Sequence, residues 1–486
     1  MSYDPHPSSA VLAYASAQEL LAWLENGRTT SLTLVEALLE RITAIDVQGP
    51  SVHAVAATAE NALTVARERD EQRSKGELLG SLHGLPVIIK DNIEAIGLPA
   101  LAGSTSLRGR PTRDAVLVEK LRSAGAIILG SANLSQWANI RSPFSTSGYS
   151  TSGGLVSNPW SLDRSAGGSS SGSGAALAAG LTALAVGTET NGSIVCPASL
   201  NGVVGLKPTV GVTSREGVIP ISHSQDSPGP MARCVADVAL LYGAMVDESP
   251  RVAADVRLVE ARAWRTAHGA TDALFDEVMS TLRRGGMEIA EGVGALPSFV
   301  EYDDQITVLL SELSDDLNRY LSARPGEGVK SLSDVVAYED EHAAIEQRYF
   351  GHEFLVQALQ SGGCDTEVYR LARQRNYDWA VERALSSLLA EGDVVVSPAY
   401  GPAWKSDLVN GDNAKFVSAS IMAAAIAGWP ILSLPMGLVE GLPVGLTLVA
   451  RPHSEWTLLE VAERIEQKIL GNIDSRQPAW RSPAQG

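Results

Sequence analysis

Short apolar runs recur along the chain and predict buried β-strands. Their residues are apolar at consecutive positions, which is typical of strands that are covered on both faces of a sheet. The runs are Gly84–Lys90, Ala126–Gly130, Leu184–Gly187, Asp393–Ser397, Ile431–Leu434 and Gly445–Val449. Segments with a helical pattern, such as Ala115–Ser123 and Ala175–Gly180, lie between them. This alternation of buried strands and helices predicts an α/β fold.

Two further segments have the apolar pattern of helices. The first begins at Ser31, which we interpret as the helix cap, and its apolar positions continue to Ile45; Pro50 marks its end. We expect an amphipathic outer helix there. The second, Ile421–Leu438, is the most apolar long stretch, but it is interrupted by Gly428, Pro430 and Pro435. It therefore predicts a buried helix followed by a strand rather than a membrane span.

The stretch from about Gly285 to Gly392 differs from the rest of the chain. Its helical segments are longer and more charged, and it is richer in tyrosine and phenylalanine. It is either one more layer of helices or a cap that shapes a substrate funnel. Because no linker rich in proline, glycine or serine separates it, we expect residues 1–486 to form one domain, with 285–392 as a helical elaboration.

Charge and cysteine content narrow the possible functions. With 38 Lys and Arg against 56 Asp and Glu, the net charge is −18, which argues against a nucleic-acid partner. The three cysteines, Cys196, Cys234 and Cys364, are odd in number and share no metal-binding spacing, which favours reduced thiols. The first residues lack the basic segment of a secretory signal. We therefore expect a cytoplasmic enzyme that binds neither nucleic acid nor membrane.

The most unusual stretch is the serine- and glycine-rich run Ser165–Gly174. A phosphate-binding loop would need a lysine after the glycines, and none is present. Gly168–Gly172 fits the pattern GxSxG of a nucleophile elbow, with Ser170 as the nucleophile. An elbow, however, requires a buried strand just before it, whereas Asn158–Arg164 looks like a turn, and none of the eight histidines lies in an obvious late loop as its base. A flexible surface linker is a third interpretation.

A fourth interpretation adds a second segment, Gly187–Pro197, which follows the buried strand at Leu184. Its consecutive small residues allow backbone N–H groups to converge on one point, as an oxyanion hole requires. A serine at its end can act as a nucleophile if a base activates it. Lys90 ends another buried strand, and burial can keep a lysine neutral, so Lys90 is the candidate base.

Several long motifs, in this order, resemble the amidase signature family. They are Gly84–Asn92, Gly167–Gly172, Gly187–Ala198, Gly202–Thr209 and Gly441–Leu446. The resemblance extends from about Thr30 to about Ile465 and so covers nearly the whole chain. It implies the amidase signature fold, a twisted mixed β-sheet core surrounded by α-helices. It also implies a hydrolase that needs no metal and no organic cofactor.

The resemblance assigns roles to individual residues. It implies Ser193 as the nucleophile, Ser169 as a bridging serine that follows a cis peptide bond, and Lys90 as the base. It places the oxyanion hole at the backbone amides of Thr190, Asn191, Gly192 and Ser193. It also implies that the Ala138 carbonyl accepts the N–H of the leaving group.

Other residues near these motifs have structural interpretations. Asp226 and Arg233 are expected to hold the loop around two prolines, and Cys196 is expected to pack as a small buried thiol. Trp137 and Trp429 are expected to pack in the core. Departures from the family pattern, such as Asn191 where glycine is common, change the pocket walls and leave the three predicted catalytic positions filled.

In detail the motifs are most similar to the peptide amidase branch of the family. This implies hydrolysis of the C-terminal carboxamide of peptides with release of ammonia. Two alternatives remain: a hydrolase of aryl amides, anilides, esters or carbamates (urethanes), and the amidase subunit of a tRNA-dependent amidotransferase. We expect the protein to act on a peptide or small-molecule amide as a monomer or homodimer.

Overall fold

The computed structural model describes residues 7–107, 109–248, 255–325 and 328–469. The strands are β1 (Val55–Thr58), β2 (Pro86–Lys90), β3 (Ile127–Ala132), β4 (Tyr149–Ser150), β5 (Gly154–Leu155), β6 (Ser157–Asn158), β7 (Ser161–Ser165), β8 (Leu184–Glu189), β9 (Val204–Lys207), β10 (Ser227–Ala232), β11 (Leu258–Ala261), β12 (Ile289–Gly292), β13 (Val394–Pro398), β14 (Ile431–Val439) and β15 (Leu442–Ala450).

The α-helices are α1 (Ser9–Tyr14), α2 (Ala17–Glu25), α3 (Ser31–Arg41), α4 (Ala62–Ser74), α5 (Val116–Ser123), α6 (Ser171–Ala178), α7 (Val195–Asn201), α8 (Val235–Met245), α9 (Gly269–Arg284), α10 (Phe299–Ala323), α11 (Leu332–Glu341), α12 (Ala343–Glu346), α13 (Glu353–Gln360), α14 (Glu367–Tyr377), α15 (Ser386–Leu388), α16 (Ala419–Ala427) and α17 (Glu455–Ile469). Two π-helices, Ile42–Val47 and Asp378–Leu385, and a 3₁₀ segment, Gln136–Asn139, complete the secondary structure of the described residues.

One large mixed sheet organises the fold. Its strand order is β1-β3-β2-β8-β10-β9-β14-β15-β13-β11-β12. Strands β2, β3 and β8 run parallel to one another, as do β11, β12 and β13, and the pairs between these two groups are antiparallel. Helices cover the sheet, so the α/β class and the large mixed sheet surrounded by helices are confirmed.

The predicted buried strands are confirmed as β2, β3, β8, β13, β14 and β15, and almost every residue in them is buried. The apolar stretch after residue 420 is indeed a buried helix, α16, followed by strand β14. The amphipathic helix α3 begins at Ser31, but the cap is Thr30, whose side chain accepts the N–H of Thr33. The prediction of Ser31 as the cap was therefore wrong by one residue.

The prediction of a turn at Asn158–Arg164 was also wrong. Strands β6 and β7 form a two-stranded hairpin there, with Ser157 opposite Ser165. The hairpin could not be predicted because its residues are polar or half-buried, so they lack the apolar signal of a core strand. Strand β7 is mostly half-buried and lies outside the large sheet, so the buried strand that a nucleophile elbow requires is still absent before Gly168.

The region 285–392 contains one edge strand, β12, and then the helices α10 to α15 with a π-helix. Buried leucines of α10, α11 and α13 form a hydrophobic cluster with residues of three loops, including Ala102, Trp137 and Ile221. The helices of this region therefore pack directly on loops that lie outside it. Among the described residues, no helix has the length and apolar character needed to cross a membrane.

Candidate active site

Lys90 ends β2 and is completely buried. Its Nζ lies 2.7 Å from Ser169 Oγ, 2.9 Å from Thr188 Oγ1 and 3.1 Å from the Thr188 carbonyl oxygen. Burial disfavours the ammonium and lowers the pKa of Lys90 to about 7, although the carboxylates of Asp226 and Glu189 act in the opposite direction. A substantial fraction of Lys90 is therefore neutral near pH 7 and can accept a proton.

Ser169 lies just before helix α6, which begins at Ser171. The peptide bond between Gly168 and Ser169 is cis. The Ser169 carbonyl accepts the N–H of Ser135 at 3.1 Å. A Cβ on Gly168 would lie 2.3 Å from Ser135 Oγ, so only glycine fits beside this contact. The Ser169 hydroxyl is thus held against Lys90 by a segment whose backbone is closely packed.

Ser193 follows β8 and precedes helix α7. Its carbonyl accepts the N–H of Ser170 at 3.0 Å, so its backbone is tied to the residue next to Ser169. Within the described part of the chain the Ser193 hydroxyl forms no hydrogen bond, and 7% of the residue is exposed. The structure therefore ties the backbone of Ser193 to the residue after Ser169, which itself contacts Lys90, and leaves the Ser193 hydroxyl without a protein partner among the described residues.

The GxSxG alternative places the nucleophile at Ser170. The hydroxyl of Ser170 is fully buried, donates to the Thr188 carbonyl at 3.0 Å and accepts the Thr188 N–H at 3.1 Å. A buried hydroxyl that already donates one hydrogen bond and accepts another is poorly placed to attack a substrate. The geometry favours Ser193 over Ser170 as the nucleophile.

The segment from Thr190 to Ser193 has the free amides that an oxyanion hole needs. Within the described residues, the amides of Thr190, Asn191 and Ser193 donate to no protein acceptor. The buried carboxylate of Glu189 instead accepts the next amides, those of Ile194 at 2.7 Å and Val195 at 2.9 Å. The Gly192 amide also hydrogen-bonds to Glu189, so the prediction of Gly192 as a free oxyanion donor is not met. Glu189 thus fixes the end of this loop and leaves the N–H groups of Thr190, Asn191 and Ser193 available to a ligand.

Asp226 holds the other end of the same loop. It accepts the Thr190 hydroxyl at 2.6 Å and the amides of Ile221 and Ser222 at 2.8 and 2.9 Å. Burial raises the pKa of Asp226 to about 6 even though these donors favour the ionised form. Asp226 thus ties the predicted oxyanion loop to a neighbouring loop, whereas the loop it was expected to hold, around Pro228 and Pro230, is strand β10.

Gly192 is in the left-handed region with φ of +85°, and a Cβ there would lie 2.7 Å from the Tyr400 hydroxyl. Both the backbone conformation and the close approach require glycine. Asn191, in contrast, is exposed. The loop therefore turns one residue toward solvent and packs the next against Tyr400.

Two cavities adjoin this loop. One, of about 320 Å³, is lined by Asp226 together with charged residues such as Arg215 and His223. The other, of about 710 Å³, is lined by Tyr400, Trp404 and Phe416 among others. Neither cavity is lined by Lys90, Ser169 or a residue of the Thr190–Ser193 segment, and each is linked to that segment only through a residue that contacts it, Asp226 or Tyr400.

The segment around Ala138 has unusual backbone geometry. Trp137, Ala138 and Asn139 all have positive φ, at 51°, 50° and 74°. Three consecutive non-glycine residues in the left-handed region are uncommon and require support from their surroundings. Ser135, three residues before Ala138, donates to the Ser169 carbonyl, so this segment lies beside the predicted bridging serine.

Cys196 has the structural role expected for it, whereas Arg233 has a different one, since Pro228 and Pro230 lie in strand β10 and not in a loop. Cys196 is buried, and burial raises the pKa of its thiol to about 12, which keeps it protonated at neutral pH. Arg233 donates to the carbonyls of Ala15, Leu177 and Thr182 and so joins the N-terminal helices to the sheet. Trp137 and Trp429 are both buried in hydrophobic clusters.

Two residues of the site were not predicted from the sequence. Thr188 makes two of the hydrogen bonds of Lys90, and its hydroxyl also accepts from Asn92 at 3.0 Å. Glu189 anchors two amides of the nucleophile segment. Both lie within the motif at Gly187–Pro197, so their position gave a signal, but their partners could not be read from the sequence. In the described residues, no group of three or more His, Cys, Asp or Glu side chains is arranged to hold a metal ion.

Comparison with known proteins gives a consistent result. The family model described as Amidase matches residues 33–459. A probable amidase from Arabidopsis thaliana is 35% identical over 94% of this chain and 90% of its own length. A glutamyl-tRNA(Gln) amidotransferase subunit from Salinispora arenicola is 34% identical over 94% of this chain and 98% of its own length.

Solved structures are similar over the whole fold. The native peptide amidase from Stenotrophomonas maltophilia has a TM-score of 0.89 and 38% identity, covering 96% of this chain and 99% of its own. Peptide amidase PAM in complex with the competitive inhibitor chymostatin also has a TM-score of 0.89, with 39% identity. Fold and sequence together define the class of this protein as an amidohydrolase. The chain belongs to the amidase signature family.

Proposed function

We propose that this protein is a peptide amidase, which hydrolyses the C-terminal carboxamide of peptides and releases ammonia. The observation that carries the proposal is the hydrogen bond from buried Lys90 to Ser169, whose neighbour Ser170 is bonded to the backbone of Ser193. The similarity to two peptide amidase structures over nearly the full chain supports the substrate class.

In the proposed mechanism, neutral Lys90 accepts a proton from Ser169 as Ser169 accepts the proton of Ser193. Ser193 Oγ attacks the amide carbonyl, and the free amides of Thr190, Asn191 and Ser193 stabilise the oxyanion of the tetrahedral intermediate. The relay then returns the proton to the departing nitrogen, and ammonia leaves. Water, activated by the same relay, hydrolyses the acyl-enzyme and restores Ser193.

The similarity to a component of an amidotransferase favours a second candidate function. A component of that kind works inside a complex that channels ammonia. The net charge of −18 counts against a role beside tRNA, since the phosphates of tRNA would meet an acidic protein. If this second proposal holds, the isolated chain does not hydrolyse peptide amides.

The test is ammonia release by the purified protein alone from a blocked dipeptide amide. An anilide and an aryl carbamate are measured in parallel, with Ser193→Ala as the control. The proposal expects ammonia from the peptide amide in the wild type and none in the variant. Turnover confined to the anilide or carbamate would assign the alternative substrate class. Activity that requires added partner subunits would favour the amidotransferase.

A further inference from the structure

We infer that Glu339 is a positioning residue for the amidase reaction: it holds the Trp137–Ala138 segment, whose carbonyl would receive the leaving-group N–H. This inference rests on the proposed function. Glu339 lies on helix α11, inside the helical region 285–392, and is far in sequence from every residue of the candidate site. Its carboxylate is completely buried.

The carboxylate of Glu339 contacts the Trp137 side chain directly. Trp137 Nε1 donates to Glu339 Oε1 at 2.7 Å. The indole N–H has no other partner in the described residues, and Trp137 itself is buried in the hydrophobic cluster formed with the leucines of α10 and α11. This single hydrogen bond therefore fixes which way the ring lies within an otherwise apolar cluster.

Two further groups hold Glu339 in place. Glu339 Oε2 lies 3.4 Å from Nε of Arg141 and 3.1 Å from Nδ1 of His352. Arg141 is completely buried, and it also donates to the Glu346 carbonyl. A buried carboxylate is tolerated only when it is paired and hydrogen-bonded, and these partners supply the pairing. The orientation of Glu339 is thus set from two sides, which makes it a rigid support for Trp137.

Trp137 needs such support because of its backbone. Trp137 and Ala138 both have φ near +50°, a conformation that is unfavourable for residues with a Cβ. The Trp137 amide donates to the Ala102 carbonyl at 2.8 Å, which fixes the start of the segment. The side-chain bond to Glu339 holds the same residue from its other side. The Trp137 carbonyl accepts the Ile140 amide at 3.2 Å, so Ala138 lies in a turn that starts from a residue held at both its amide and its side chain.

The direction of the Ala138 carbonyl matters for amide substrates in particular. An amide leaving group carries N–H bonds, and a correctly placed carbonyl can orient the departing nitrogen toward the proton relay. An ester leaving group has no N–H and gains nothing from that carbonyl. Loss of positioning should therefore lower amide hydrolysis and spare ester hydrolysis, whereas general damage to the fold would lower both.

The experiment compares a blocked dipeptide amide with the methyl ester of the same peptide, using kcat/KM for both. Trp137→Phe keeps an aromatic ring and removes only the N–H donor. We expect its kcat/KM for the amide to fall by about tenfold to a hundredfold, with the ester within about twofold. Glu339→Ala should give the same selective loss. Glu339→Gln still offers an acceptor to Trp137, so its amide-to-ester ratio should stay close to that of the wild type.

Asp304→Asn serves as the matched control. Asp304 also lies in the helical region and pairs with Arg375 through two contacts of 2.6 and 2.7 Å, but it touches no residue of the candidate site. This variant should leave the amide-to-ester ratio unchanged. Trp137→Phe leaves the Glu339–Arg141 ion pair intact, so the test stands even if Glu339→Ala fails to fold.

Equal losses for amide and ester in Trp137→Phe, or no loss in either, would overturn the inference while leaving the proposed function intact. Failure of the proposed function shows in the wild type instead, as absence of ammonia release from the peptide amide. If the wild type then hydrolyses the anilide, whose leaving group also carries an N–H, the same variants are compared on the anilide and the matching ester, and equal losses there would overturn this inference.

Discussion

Lys90 and Ser169, which are 79 positions apart in the sequence, are joined by a hydrogen bond of 2.7 Å in the interior of the protein. The bond places an amine with a lowered pKa against a hydroxyl, and the hydroxyl in turn lies beside the nucleophile segment. Proton transfer over such a short distance requires no movement of the main chain. The proposed relay depends on this pair.

The pH dependence should report the protonation state of Lys90. Burial lowers its pKa to about 7, and only the neutral amine can act as a base. We therefore expect kcat/KM to rise about tenfold per pH unit below pH 7 and to level off above it. The measurement is kcat/KM for a peptide amide between about pH 5 and about pH 9. A profile that falls as the pH rises through 7 would contradict the role of Lys90.

Asp226→Asn provides a second check on the same pKa. The carboxylate of Asp226 raises the pKa of Lys90, so its removal should move the rising limb of the profile to lower pH. The amide of asparagine can still accept the Thr190 hydroxyl. A limb that moves to higher pH would contradict the electrostatic assignment.

Thr190 should affect catalysis through its hydroxyl. Thr190→Val keeps the shape of the side chain but removes the donor to Asp226, which lies 2.6 Å away. The loop loses one of its two anchors, and we expect kcat to fall on the order of tenfold because the oxyanion donors are less well placed. Thr190→Ser retains the hydroxyl and is the control. Equal activity of the valine and serine variants would show that this contact does not support catalysis.

Gly192→Ala should be much more harmful than a similar change elsewhere. The new Cβ would lie 2.7 Å from the Tyr400 hydroxyl, at a backbone φ of +85°. Gly211 is the matched control, since its φ is +91° and no atom lies within 4 Å of an added Cβ. Both variants carry the backbone strain, which costs about 1 kcal/mol, but only the first adds a clash. We expect activity to be lost in Gly192→Ala alone and partly restored when Tyr400→Phe is added.

Much of the fold could be predicted from consecutive apolar residues, because a strand buried on both faces shows this pattern directly. Strand β10 could not be predicted in this way, because Pro228 and Pro230 lie within it and proline normally argues against a central strand. The hairpin of β6 and β7 was missed because it lies outside the core.

The candidate site, like the fold, could be predicted from the sequence only in part. Lys90, Ser169 and Ser193 were predicted from motifs that resemble a known family. The contact between Glu339 and Trp137 joins residues 202 positions apart, and nothing in either local sequence identifies the partner. Contacts of this kind depend on how helices pack on loops, which a single sequence does not reveal.

The most direct test of the proposed mechanism is to identify the residue that carries the acyl group. The purified protein is mixed with an activated ester of a blocked dipeptide and quenched in acid, and the modified peptide is located by mass spectrometry. The mechanism predicts one acyl group, on Ser193, and none in Ser193→Ala. An acyl group on Ser170, or an unchanged yield of adduct in Ser193→Ala, would contradict it.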